Sequence, residues 1–136
     1  MHEFTLRVYY EDTDLGGFVY YANYLRFIER GRSEWVRECG IDQIGLKRDE
    51  DLVFVVRKLE ADYLRPAYFG DILTVGTRLV TLGGARIVLD QVVLRGDEQV
   101  FAAKVVMVCV NSAGAVRIPD AVRAALAGQV GLDGGA

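Results

Sequence analysis

The sequence predicts an α+β domain in which one long helix is wrapped by an antiparallel sheet of five strands. Three observations carry that expectation: five runs of strand character separated by turn residues, a single long segment of helical periodicity, and a glycine in the middle of that segment. From Phe4 to Glu11, the apolar side chains of Phe4, Leu6, Val8 and Tyr10 alternate with Thr5, Arg7, Tyr9 and Glu11, the period of a strand. Asp12-Thr13-Asp14-Leu15-Gly16-Gly17 has the composition of a turn, and its glycines let the backbone approach another group closely. From Asn23 to Cys39, Tyr24, Phe27, Ile28, Gly31, Trp35 and Cys39 recur every three or four positions, with Asn23 placed as N-cap and Gly40 past the end. Gly31 costs such a helix about 1 kcal/mol relative to Ala, so a strand is expected to pass close on that side.

Residues Ile41 to Asp51 are variable in character and compatible with a short helix. Four extended runs follow: Val53–Arg65, Ile72–Leu82, Ala85–Leu94 and Val100–Val110. Pro66 and Gly70-Asp71 close the first, while Gly83-Gly84 and Gly96-Asp97 each suit a two-residue hairpin. Val100–Val110 is apolar on both faces apart from Lys104, so both faces should be covered. One helix covers one face; a second subunit is expected over part of the other, which makes the protein a homo-oligomer. Pro119–Ala127 reads as a short closing helix, and residues from about 129 to 136 as a Gly-rich frayed tail. With no repeat or linker in view, residues 1–136 are expected to form one domain.

Composition narrows the function. A chain of 136 residues with 51% hydrophobic side chains can bury a core, and 16 Lys and Arg against 19 Asp and Glu leave no basic field for nucleic acid or an anionic membrane. Two cysteines, Cys39 and Cys109, are too few and too far apart for a disulfide framework or a zinc knuckle, and read as buried thiols in a reducing compartment. The start of the chain lacks the regions of a signal peptide and no stretch reaches the length of a membrane span, so the simplest address is the cytoplasm.

The only histidine, His2, is expected to be a solvated side chain at a frayed terminus. Without a second histidine there is no base to activate a serine or cysteine nucleophile, and neither cysteine has an evident activating partner. The Asp12–Asn23 stretch opens like a calcium loop, but has Gly16 at its fifth position and Asn23 where a bidentate Glu is required; no metal is expected. Gly83-Gly84-Ala85 is too short to cradle phosphate. What remains is Asp14, on a glycine-rich loop that runs into the long helix. It can simply hydrogen-bond its own turn. Alternatively, residues Tyr20 to Asn23 offer unpaired N–H donors to a developing oxyanion, with Asp14 across the carbonyl as nucleophile or as base for a water.

The segment from Val8 to Tyr24, with its Asp12-x-Asp14-x-x-Gly17-x-Val19-x-Tyr21 string, resembles the hotdog-fold acyl-CoA thioesterases, most closely the YbgC-like branch related to 4-hydroxybenzoyl-CoA thioesterase. Phe27-Ile28-Glu29-Arg30-Gly31-Arg32-Ser33-Glu34, Phe54–Lys58, Tyr63–Ala67 and Gly70-Asp71 extend the likeness over nearly the whole domain. The resemblance implies a hotdog fold, a long central helix wrapped by a highly curved five-stranded antiparallel sheet, with pairs of subunits building active sites at their interface and a dimer of hotdogs, a tetramer, as the assembly. It implies hydrolysis of acyl-CoA thioesters with a short-chain or aromatic acyl group and without cofactor. It assigns Asp14 as the catalytic carboxylate, the Tyr21 backbone N–H as the donor that polarises the carbonyl, and Tyr10 as a site-lining residue whose alternative is the core face of the first strand.

Gly17 and Tyr20 are expected to touch the substrate, and Arg57, Lys58, Arg65 and Arg86 to meet the phosphates of coenzyme A. The branch often carries His where this chain has Tyr21, so any imidazole acid–base role is lost here while a backbone donor survives. Glu29 and Arg32, three apart on the helix, suit an ion pair of about 0.2–0.5 kcal/mol rather than catalysis. The branch also implies an association with cell-envelope or lipid-synthesis proteins. Two other readings stand beside the thioesterase: a hotdog dehydratase or hydratase, which generally needs a histidine, and a non-catalytic acyl-thioester-binding or scaffold protein.

Overall fold

The structure, a computed structural model, describes residues 1–129. Strands β1 (His2–Arg7), β2 (Val53–Tyr63), β3 (Ile72–Leu82), β4 (Arg86–Arg95) and β5 (Glu98–Asn111) form one antiparallel sheet in the order β1-β3-β4-β5-β2, with a two-residue β6 (Gly114–Ala115) folded back on β5. The helices are α1 (Asn23–Glu38), α2 (Gln43–Glu50) and α3 (Asp120–Ala127), and α1 packs on β1, β3 and β4. The long helix and the four later strands stand where the periodicity put them. The frayed tail expected from about residue 129 lies outside the described residues, apart from Gln129.

Helix α1 buries Tyr24, Phe27, Ile28, Gly31 and Trp35, the apolar stripe of the sequence. Gly31 is where helix and sheet come closest: a Cβ there would stand 2.5 Å from Cγ1 of Val75 on β3. The facing strand positions are alternate residues, Leu73, Val75 and Leu79 on β3 and Ile87, Leu89 and Val93 on β4, all buried.

Several local expectations give way to tertiary contacts. The first strand ends at Arg7 rather than Glu11, and Tyr10–Asp12 forms a 3₁₀ turn. Asn23 is not the N-cap of α1. Ala22 holds that position, and the Asn23 amide instead reaches the buried carboxylate of Asp12 at 2.9 Å. The Gly83-Gly84 turn is wider than a two-residue hairpin because its carbonyls face outward, to the Arg123 guanidinium at 2.7 and 2.8 Å and to the Ile118 N–H at 2.9 Å. Gly96-Asp97 does make a two-residue loop, with Gly96 at φ 60°.

His2 is not solvated. It is the first residue of β1, its Nε2 lies 3.0 Å from Glu38 Oε2, and its Nδ1 is buried without a partner. Glu29 and Arg32 do not pair; Glu29 accepts from Ser33 Oγ at 3.0 Å and Arg32 turns inward. Cys39 is half-buried and Cys109 buried, and burial raises both thiols above their ordinary range.

The apolarity of both faces of β5 does not by itself call for a second subunit. Val106 and Val108, on the outer face, are already 5% and 7% exposed in a single chain. Their register neighbours Val88 and Lys58, Arg86 and Val55 flank them, and the stems of the charged residues cover apolar surface.

Replacing Gly31 with Ala should destabilise the fold although Ala is the better helix former. The clash with Val75 is expected to cost about 1–3 kcal/mol, outweighing a propensity gain of about 1 kcal/mol, and urea unfolding measures the balance. A variant as stable as the parent would mean that α1 does not sit this close to β3.

Candidate active site

The loop between β1 and α1 is built around Asp12, which is 3% exposed. Its Oδ2 accepts the Tyr9 N–H at 2.9 Å, its Oδ1 the Asn23 side-chain amide at 2.9 Å, and its carbonyl the Tyr20 N–H at 2.8 Å. One buried carboxylate therefore ties the end of the first strand to the start of the helix. Between those anchors the chain makes a small hairpin: Thr13 bridges Val19, the Asp14 N–H donates to the Phe18 carbonyl at 2.8 Å, and the Gly17 N–H returns to the Asp14 carbonyl at 3.0 Å. Gly17 takes φ 81°, which a side chain would resist. A second loop braces the hairpin, with the Val19 N–H on the Ala67 carbonyl at 2.8 Å and the Phe69 N–H on the Gly17 carbonyl at 3.4 Å.

Asp14 stands exposed on this hairpin. Its Oδ1 accepts the N–H groups of Gly16 (3.0 Å) and Phe18 (3.3 Å), so it does hydrogen-bond its own turn, while Oδ2 has no partner among the described residues. The other limb of the hairpin leads to the helix start. There the Tyr20 carbonyl accepts the Asn23 N–H at 2.8 Å and so points along the helix; the N–H of Tyr21, antiparallel to it in the same planar peptide, points out of the helix end. No acceptor among the described residues takes it.

The Tyr63 hydroxyl on β2 donates to the Tyr21 carbonyl at 3.0 Å, holding the next peptide in place, and its ring packs against those of Tyr24 and Phe101. Burial is the main cause that lifts the Tyr63 phenol, with the neighbouring Tyr21 second. The Tyr20 phenol is raised chiefly by its hydrogen bond with the Tyr21 hydroxyl.

Tyr10 does not face the core. The 3₁₀ turn carries it outward to 79% exposure, where its ring stacks on Phe69 with centroids 4.2 Å apart. Tyr20, Tyr21, Phe18 and Tyr68 add to a surface of exposed aromatic rings around the hairpin. Of the four cations proposed for phosphate, Arg65 alone is close in the chain to this surface, two residues before the Ala67 carbonyl that braces it, and it pairs with Glu98 at 3.4 Å. Lys58 pairs with Glu60 at 3.1 Å. Arg57 is the extra residue of a bulge in β2, and Arg86 opens β4 opposite Val108. Both belong to the Met107 end of β5, about 20 Å along the strand from Phe101 and Tyr63. Within one chain the structure thus gathers Asp14, Gly17, Tyr20, Tyr21 and Tyr10, with Arg65 nearby, and leaves Arg57, Lys58 and Arg86 apart.

Three residues that shape this site escaped the sequence reading: Asp12, Tyr63 and Arg95. Arg95 holds the bracing loop, donating to the Pro66 carbonyl (3.1 Å) and to Asp71 Oδ2 (2.9 Å), pairing with Glu98, and lying over the Tyr68 ring. The partners that fix them in the fold, Asn23 for Asp12, Tyr21 for Tyr63, and Pro66 and Asp71 for Arg95, lie 11 to 42 residues away, so local spacing gave little sign of them.

A long helix seated on a curved antiparallel sheet is the hotdog arrangement found in thioester hydrolases. Residues 16–102 match the family model described as Thioesterase superfamily. The chain is 40% identical over 124 residues to the acyl-CoA thioesterase YbgC of Haemophilus influenzae, covering 90% of this chain and 91% of that protein. It is 44% identical over 85 residues to the acyl-CoA thioesterase YbgC of Helicobacter pylori, covering 62% and 61%. Its fold superposes on the probable thioesterase from Bartonella henselae with a TM-score of 0.83 at 42% identity, covering 87% of this chain and 98% of that one. The chain belongs to the thioesterase superfamily, in its YbgC-like branch.

Changing Tyr63 to Phe frees the Tyr21 carbonyl while keeping the ring. The expected result is a fall in kcat of up to about tenfold with KM little changed, the size of one net hydrogen bond. Steady-state thioester hydrolysis reads it; an unchanged kcat would remove Tyr63 from the support of the donor.

Proposed function

We propose that this protein hydrolyses acyl-CoA thioesters of short-chain or aromatic acids without a cofactor, acting in the cytoplasm as a homo-oligomer. The observation that supports this most is the unclaimed Tyr21 N–H at the start of α1, on the limb of the hairpin opposite Asp14. In this reading the thioester oxygen lies on that N–H, where the positive end of the helix stabilises the charge that builds as the carbonyl is attacked. Asp14 acts from the other side. As a base it takes a proton from water while the hydroxide adds to the carbonyl carbon; as a nucleophile it forms an anhydride that water then opens. Either route breaks the carbon–sulfur bond and releases a thiolate, which leaves readily and takes a proton from solvent, so no strong general acid is required.

The exposed rings around the hairpin suit the apolar part of the substrate, and the basic side chains the phosphates of coenzyme A. Strand β2 supports the oligomer: it ends the sheet as eleven residues with one side unpaired, and Val55 and Val56 on it are 40% and 44% exposed. Such an edge pairs readily with another copy of itself about a twofold axis. The assembly we expect is a dimer of hotdog pairs, a tetramer.

A second reading, a non-catalytic acyl-thioester-binding protein, draws on the bonds from Asp14 Oδ1 to its own turn. Free-thiol release from a panel of acyl-CoAs separates the two. Asp14→Asn should lower kcat by about a hundredfold or more while binding persists; equal release by the variant, or none by the parent, would sink the catalytic assignment. Single turnover in heavy-oxygen water then divides the routes, since label appears in the Asp14 side chain only if it is the nucleophile.

His2 pairs with Glu38, at the far end of α1 from the hairpin, so His2→Gln should leave kcat/KM unchanged, and a large loss in that variant would bring the imidazole into the chemistry. Sedimentation should give a multiple of the 15.1 kDa chain; a monomer in the active preparation would exclude a site shared between subunits.

A further inference from the structure

A cavity of about 140 Å³ lies under the C-terminal half of α1, between that helix, α3 and the sheet. Trp35, Phe54, Ile87, Met107 and Leu126 make its walls, and Arg32 reaches it from the helix. Along α1 it sits about 15 Å from the helix start and the Asp14 hairpin.

Arg32 is 9% exposed, and its one hydrogen bond is from Nη1 to Gln91 Oε1 at 3.0 Å. Gln91 is itself committed, its amide donating to the Ile28 carbonyl (2.9 Å) and to Thr77 Oγ1 (2.8 Å). Burial pulls the guanidinium below its ordinary value, with the more distant Glu29 only partly opposing. Glu29 stands exposed on the cavity rim with its carboxylate on Ser33 Oγ, and Arg32 forms no ion pair among the described residues. A buried cation without a counter-charge is costly, and buried charges are ordinarily paired. The cavity therefore combines an apolar volume with a guanidinium that has no counter-charge among the described residues.

We infer that this cavity is a binding site for a small free carboxylic acid, its carboxylate on Arg32 and its apolar body among Trp35, Phe54 and Met107. The volume sets the size. A cavity of this order holds one benzene ring, which corresponds to a monocyclic acid or a chain of about five or six carbons. Such an acid is the product class of short-chain or aromatic thioester hydrolysis, but the site does not depend on that reading and is tested by binding alone.

Trp35 is the only tryptophan in the chain and lines the cavity, so its fluorescence reports occupancy directly. Hexanoate and benzoate should each give a saturable change, with hexanol and benzyl alcohol weaker by about tenfold. Arg32→Gln should erase the preference of acid over alcohol. Val56→Phe, which adds bulk at the cavity wall and leaves Arg32 in place, should abolish both, and Asp14→Asn should change neither. Equal response to acids and alcohols, no saturable response, binding that survives Val56→Phe, or binding that follows Asp14→Asn would each overturn the assignment. If Arg32→Gln does not fold, the acid–alcohol comparison on the parent and the Val56→Phe titration decide the question.

Discussion

The close seat of α1 on β3 at Gly31 is the contact from which the rest of the molecule follows. With no side chain at that position, the helix lies against Val75 at a distance that any Cβ would forbid, and the sheet can curl around it. That seating sets the direction in which the helix start emerges and where its unpaired N–H groups point. The cavity beside Trp35 lies under the other half of the helix.

Polar groups complete what the apolar seat begins. Asp12 is nearly inaccessible and meets its partners from three parts of the loop, so the hairpin that carries Asp14 is anchored at both ends by groups that would be expensive to leave unpaired. Arg95 performs the same service for the bracing loop beside it. Asp14 and the Tyr21 N–H are, by contrast, exposed and only partly satisfied. A rigid, fully bonded frame around a few underused polar groups is the arrangement that a preorganised site requires, because those groups need not be reordered when a substrate arrives.

The hairpin also explains why an exposed aromatic surface forms here. Tyr10 leaves the strand on a 3₁₀ turn and stacks on Phe69, and Phe18, Tyr20 and Tyr21 extend the same surface. Rings held in pairs present large apolar faces with little loss of side-chain freedom on contact.

The sequence by itself determined the element order, the one long helix with its buried stripe, the five strands and the close approach at Gly31, because each rests on local periodicity or on a single residue's steric limits. It also left Asp14 and the helix start as candidates by elimination, with the plain turn reading open beside them until the family resemblance assigned the carboxylate. Only the tertiary structure decided which local preferences survived. Asn23 gave up a cap for the Asp12 carboxylate, Tyr10 left the core face, His2 found Glu38, and Arg32 turned inward to Gln91 instead of pairing with Glu29. Each of those outcomes depends on a partner brought near by folding, and a buried polar group with such a partner gains more than any local turn or surface ion pair can offer.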